Sequence, residues 1–182
     1  MKGLVFTTFY GFCEERFGPD MLDDVIEGAR LPHGGAYTSV GTYPFDEMVA
    51  LITGVVKRSG LGMPTVLEQF GEYCFACWVK KFPALFSDRD LFDVLANIDD
   101  FHESEVRKLY PDAELPSFEV AGRGADYVVL DYRSCKPLAD LAVGVIRGAG
   151  KHLNAPVNVT YSKASDAIRF RVERVSAERL AA

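Results

Sequence analysis

The side chains of this 182-residue chain whose types and spacing could do chemistry are few: three histidines, four cysteines, and a short row of donors at Tyr132, Ser134 and Lys136. His102 has the most constrained setting. It lies in SDRDLFDVLANIDDFHESEVRKLYPDAELP, Ser87 to Pro116, where Leu91, Leu95, Ile98, His102, Val106 and Leu109 recur at spacings of four, three, four, four and three. That is the repeat of one helix face, so the pattern points His102 inward and turns Asp99, Asp100, Glu103, Arg107 and Lys108 elsewhere. Ser87 followed by Asp90 has the form of a capping box, which predicts a helix start at Ser87. An inward imidazole has two uses: it hydrogen-bonds to backbone inside a core, or its neutral ring donates a lone pair to a metal.

A second group lies further along the chain. Tyr127 to Tyr132, YVVLDY, is rich in β-branched and aromatic residues and reads as a strand whose alternation puts Val128, Leu130 and Tyr132 on one face. If the chain stays extended, Ser134 and Lys136 continue that face as a phenol, a hydroxyl and an ammonium in a row. All three donate hydrogen bonds and the last is positive, a set that suits a carboxylate on an otherwise apolar ligand. The same residues also read as a strand end fraying into a turn before Pro137 opens a helix.

The other candidates carry less. His33, between Pro32 and the Gly34-Gly35 pair, reads as a loop residue, and His152 stands at the end of a helical run, where a cationic side chain meets the helix dipole favourably. Cys74 and Cys77 form CFAC, but a tetrahedral zinc site needs a second pair of ligands, which Cys13 and Cys135 do not supply. Covalent haem attachment would need histidine after the second cysteine, and Trp78 stands there. Within PTVLEQFGEYCFACWVKKF the thiols share a helix face with Phe70 and Trp78 and read as small packing residues.

The elements that must position these groups can be read from periodicity. Asp20 to Arg30 reads as helix; Phe45, Met48, Val49, Ile52 and Val56 mark another; Gly60 to Pro64, GLGMP, breaks the chain before the next. After Pro116 the period changes to two: Phe118 and Val120, Val128 and Leu130, then Val157, Val159 and Tyr161 paired with Ile168, Phe170 and Val172 across SKASDA. A helix from Pro137 to Leu153, with Leu138, Leu141, Ala142, Val145 and Ile146 inward, interrupts the strands. The expectation is an α+β fold: a helical front half packed on a back half with a small antiparallel sheet and a covering helix. With 48% hydrophobic residues the chain can bury a substantial core as a single domain, 1–182. Its net charge of −6 comes without basic tracts, so neither nucleic acid nor an anionic membrane is an expected partner. With no signal peptide or long apolar span read from the sequence, a cytoplasmic location with free thiols is expected.

Taken together the chain resembles the haem nitric-oxide/oxygen binding family, H-NOX, the sensor domain shared by bacterial gas sensors and soluble guanylate cyclase. The likeness runs through MKGLVF, FDEMVALITGVVKRSG, MPTVLEQFGEY, His102 in IDDFHESEVRKLYP, Pro116 in ELPSF, and Tyr132, Ser134 and Lys136 in DYRSCKP. It implies a helical distal subdomain, 1–62, and a proximal subdomain, 63–182, with a non-covalent haem b between them. His102 would be the proximal iron ligand, Pro116 would press on the haem face, and Tyr132, Ser134 and Lys136 would hold its propionates. Lys136 departs from the family's arginine, exchanging a planar fork for a mobile point charge.

The resemblance also implies a function. Family members respond to nitric oxide, which binds ferrous haem and weakens the bond to the histidine opposite, and the histidine's helix then shifts against the front helices. Val5, Phe9, Cys74 and Leu141 would line the open side, Leu141 standing where oxygen-binding members carry a tyrosine; Tyr10 or Tyr73 could swing in as donors. The implied ligands are nitric oxide and carbon monoxide. With no output module read after residue 182, the signal is expected to pass to a separate histidine kinase or cyclic-di-nucleotide enzyme, making the chain a sensor and not an enzyme. The alternative is a haem-free module binding an apolar carboxylate through Tyr132 and Lys136.

Overall fold

In the computed structural model, which describes residues 1–87 and 89–175, four long helices come first: α1 Gly3–Phe17, α2 Pro19–Ala29, α3 Phe45–Ser59 and α4 Met63–Lys81. Glycine sets two of the boundaries. Gly18, at φ 90, ends α1 and hands the chain to Pro19 at the start of α2, and Gly60, at φ 71, closes α3 in the left-handed conformation. The break at Gly60–Pro64 is thus observed, with α4 starting at Met63. The buried face of α3 is Met48, Leu51, Ile52 and Val55, whereas Val49, expected inward, is 40% exposed. Two apolar stripes overlap on this helix, and the core takes the one that includes Leu51 and Val55.

The predicted helix around His102 is interrupted. Asp90, not Ser87, is the cap: its carboxylate accepts from the Phe92 N–H at 2.8 Å, while the Ser87 hydroxyl donates to the Pro83 carbonyl at 2.9 Å. The segment then runs as α5 Leu91–Ala96, α6 Ile98–Phe101, a π-helical turn His102–Val106, and α7 Arg107–Leu109. Asn97 ends α5, its side-chain amide donating to the Asp93 carbonyl at 2.7 Å. In the π-turn the Arg107 N–H reaches back to the His102 carbonyl, so the turn holds one residue more than an α-turn. One extra residue rotates the remainder of the segment by about 100°. Leu109, expected on the inner face, is accordingly 54% exposed.

The second half is the antiparallel sheet β1 Ser117–Arg123, β2 Tyr127–Arg133, β3 Val157–Ala164 and β4 Ala167–Arg174, ordered β1-β2-β4-β3, with α8 Ala139–His152 inserted between β2 and β3. Val128, Leu130, Tyr132, Val159, Phe170 and Val172 form its buried face, as the period-two reading anticipates, whereas Val120 and Tyr161, read into the same pattern, are 40% and 44% exposed. The expected α+β architecture is what is observed.

Two hydrophobic clusters result. Phe6, Phe9, Phe12, Leu51, Val55, Phe70 and Cys74 belong to the first; Phe75, Phe92, Leu95, Leu130, Ile146 and Phe170 to the second. The seam between them is the crossing of α4 and α8. There the helices touch backbone to backbone: a Cβ on Gly71 would overlap the Leu141 carbonyl, and one on Gly144 the Glu68 carbonyl. Ion pairs from Arg147 to Glu68 and from Lys151 to Glu72 flank the crossing. Among the described residues no helix is long and apolar enough to cross a membrane.

A buried carboxylate fixes the front loop, residues 30–44. Glu47, 3% exposed, accepts from the Tyr37 hydroxyl at 2.6 Å and meets His33 Nδ1 at 2.5 Å. His33 is thus a structural loop residue. Burial alone would raise the Glu47 pKa, but these partners outweigh it and leave it lowered. A lowered folded-state pKa contributes stability that is present above the unfolded value, about 4.3, and lost as pH falls through the folded one. Glu47→Gln should therefore cost about 1–3 kcal/mol at neutral pH and flatten the acid limb of the stability curve, measured by urea unfolding between pH 3 and 7.

Candidate functional site

His102 sits at the first residue of the π-turn with its side chain 17% exposed. Its Nδ1 is buried without a hydrogen-bond partner. Burial lowers the pKa of the ring, opposed by the Asp99 carboxylate and the Pro116 carbonyl, and so favours its neutral form. Asp99, read from sequence as facing elsewhere, lies 3.7 Å from Nδ1. Its carboxylate also accepts from the Phe118 N–H at 3.0 Å, which ties the His102 segment to the start of β1. The Phe118 ring lies between the His102 and Tyr132 rings, with centroid distances of 6.4 and 5.1 Å. In the sequence Phe118 stands out only as a strand marker.

Tyr132 closes the inner face of β2 and is 5% exposed. Burial raises its pKa, against the lowering effect of the Ser134 hydroxyl and the Lys136 charge, so the three expected donors do converge. They do not do so along a strand. β2 ends at Arg133, and Ser134 turns back, its hydroxyl accepting from the Lys136 backbone N–H at 3.1 Å. The fraying reading of the strand end is the correct one for the backbone. Lys136 extends an 11% exposed side chain to Glu114, Nζ to Oε2 2.6 Å, and also approaches Cys135 Sγ at 3.4 Å. Burial would lower the Lys136 pKa, but the Glu114 contact prevails and raises it. The α-amino group of Met1, whose pKa is lowered by burial and by the Lys136 charge, donates to the Tyr43 carbonyl at 2.7 Å. Glu114 is invisible as a site residue in the sequence because 22 positions separate it from Lys136.

On the other side of the seam lie the residues expected to line an open pocket. Phe9 is fully buried, edge-on to Phe70 at 5.0 Å, and Cys74 is 4% exposed with its pKa raised by burial. Val5 and Leu141 are half-buried against the same cluster. None of the four offers a hydroxyl or amide donor. Tyr10 is committed, donating to the Gly35 carbonyl at 2.8 Å, and the Tyr73 hydroxyl lies over Gly11.

Among the described residues no three His, Cys, Asp or Glu side chains cluster so as to hold a metal ion. The unpartnered Nδ1 of His102 and the donors Tyr132, Ser134 and Lys136 are residue types that would fit a haem: an imidazole nitrogen for the iron and partners for the propionates. All four cysteines are free thiols.

Comparison with known proteins agrees. A family model described as haem-NO-binding matches residues 2–161. The fold is similar to that of the Fe(II) unliganded H-NOX protein from K. algicida, 30% identical over 97% of each chain with a TM-score of 0.89. An H-NOX protein from S. oneidensis in its Fe(II)NO state is 21% identical, covering 97% of this chain and 100% of that one at TM-score 0.87. An oxygen-binding H-NOX domain related to soluble guanylate cyclases, in its oxygen complex, is 19% identical over 97% and 96% at TM-score 0.79. Among curated proteins none matches.

Proposed function

The chain belongs to the haem-NO-binding family of haem-based gas sensors, and from that premise we propose that it senses nitric oxide at a ferrous b-type haem and signals to a separate protein. The observation that carries this reading is His102: a largely buried ring whose Nδ1 no protein group satisfies. Bound, haem would supply a ferrous iron able to take a diatomic gas. His102 would hold the iron through a ring nitrogen, and burial, which lowers its pKa, favours the neutral form that such a contact needs. Pro116 would lie against the cofactor face. Tyr132, Ser134 and Lys136 would hold the propionates, and Val5, Phe9, Cys74 and Leu141 would form the gas side. In this reading residues 1–62 are the distal subdomain and 63–182 the proximal one.

The segment carrying His102 is suited to relay a pull on that side chain. It is broken at Asn97, widened by the π-turn, and held at its far end where Lys2 pairs with Asp112 at 2.5 Å. A segment interrupted at Asn97 and again at its π-turn, and tied to the start of α1, can pass a shift to the front helices, and gas binding selects whichever packing binds the gas better. We place the readout in a histidine kinase or cyclic-di-nucleotide enzyme acting in trans from the cytoplasm.

The test is the absorption spectrum of protein expressed with haem precursor, in the reduced state, under nitric oxide, carbon monoxide and air. Nitric oxide and carbon monoxide should bind; dioxygen should not form a stable complex, because its outer atom needs a hydrogen-bond donor that the four gas-side residues lack. A donor worth about 1.4 kcal/mol changes affinity tenfold. Leu141→Tyr should accordingly slow dioxygen release by roughly that factor. A wild-type protein without a Soret band ends the sensor reading, and a long-lived oxy spectrum in air ends the pocket assignment.

A further inference from the structure

Lys136 is already partnered. Its side chain is 11% exposed, whereas that of Glu114 is 69% exposed, and the two meet at 2.6 Å. The ammonium is the built half of this pair and the carboxylate the movable half, reaching in from solvent on the loop of residues 110–116, which comes directly after the His102 segment. Leaving the ammonium of a half-buried side chain without a counter-charge costs more than returning an exposed carboxylate to water. Lys136 therefore favours a carboxylate partner. The neighbouring Lys2 has its own, Asp112 at 2.5 Å, and the Met1 α-amino group is bonded to the Tyr43 carbonyl.

We propose that Glu114 is an intramolecular competitor of the haem propionate at Lys136, the carboxylate that the cofactor must displace to be held. The proposal rests on the haem reading above and adds a residue that weakens retention, where the donor row Tyr132, Ser134 and Lys136 strengthens it. Its sign separates it from a supporting role. If Glu114 merely held Lys136 in place, its loss would speed haem release; as a competitor, its loss slows release.

The experiment is haem transfer from the ferric holoprotein to excess apomyoglobin, followed at the Soret band, for wild type, Glu114→Gln, Glu114→Ala, Lys136→Met and Lys136→Met combined with Glu114→Gln. Glu114→Gln and Glu114→Ala should slow transfer about two- to fivefold, the range a partly exposed ion pair commands. The slowing should shrink in high salt and vanish in the Lys136→Met background, where no charge remains to compete for. Faster or unchanged transfer in Glu114→Gln overturns the proposal, as does slowing that persists without Lys136. Wild-type protein that takes up no haem overturns the haem reading itself and this proposal with it.

Discussion

Replacing His102 with glycine should abolish axial ligation of haem iron while leaving the fold in place, and added imidazole should restore the ligated ferrous spectrum. The large spectral effect and the small structural one have the same origin. The His102 Nδ1 is buried unsatisfied, so its removal deletes an unsatisfied polar group and only the peripheral contacts to Asp99 and the Pro116 carbonyl. The backbone change costs about 1 kcal/mol for glycine in a helix relative to alanine, and less where the chain is already widened into a π-turn. Far-UV circular dichroism should therefore match wild type while the absorption spectrum does not. The space vacated is an imidazole's own shape, walled by Phe118 and Asp99, which is why exogenous imidazole should enter it. An unchanged ferrous spectrum in the variant would show that another residue ligates the iron.

Which parts of this site the sequence discloses depends on the range of the interactions involved. Strand faces are local, so Val128, Leu130 and Tyr132, and their partners Phe170 and Val172, stand where alternation places them. The inward setting of His102 is likewise local up to its own position. Beyond it the periodicity fails, because the π-turn answers to tertiary contacts: Asp99 bonds to β1, and Lys2 draws in Asp112 from the other end. Neither contact leaves a periodic trace, and nothing in DDFHESEVRKL is a helix breaker. The end of β2 is a similar case. Extrapolating its alternation brings Ser134 and Lys136 near Tyr132 but by the wrong path, since a turn and not an extended chain delivers them. Glu114 reads as one acid among 26 until the fold sets it against Lys136.

The α4–α8 seam sets the second large effect. Gly144→Val should cost about 3 kcal/mol or more, since the added side chain meets not a flexible neighbour but the Glu68 backbone carbonyl. For a domain of this size that corresponds to a fall in melting temperature on the order of 10 °C. Gly71 faces the same constraint from the other helix, against the Leu141 carbonyl, so the two glycines set the interaxial distance jointly. Gly148→Ala is the control. Its new Cβ would stand 3.0 Å from Phe75 Cβ and 3.3 Å from Glu72 Cα, tight contacts that a helix shift of a few tenths of an ångström relieves, and alanine's helix propensity returns about 1 kcal/mol. Near-wild-type stability for Gly148→Ala alongside a large loss for Gly144→Val, both by urea unfolding, would locate the constraint at the backbone contact; equal losses would place it in general crowding of α8. The consequence reaches the gas side, because Leu141 is three residues before Gly144 and Cys74 three after Gly71. A side chain that pries the helices apart at this crossing displaces both, so under the proposed function a partly folded Gly144 variant should change its relative affinity for the gases before it loses ligation by His102.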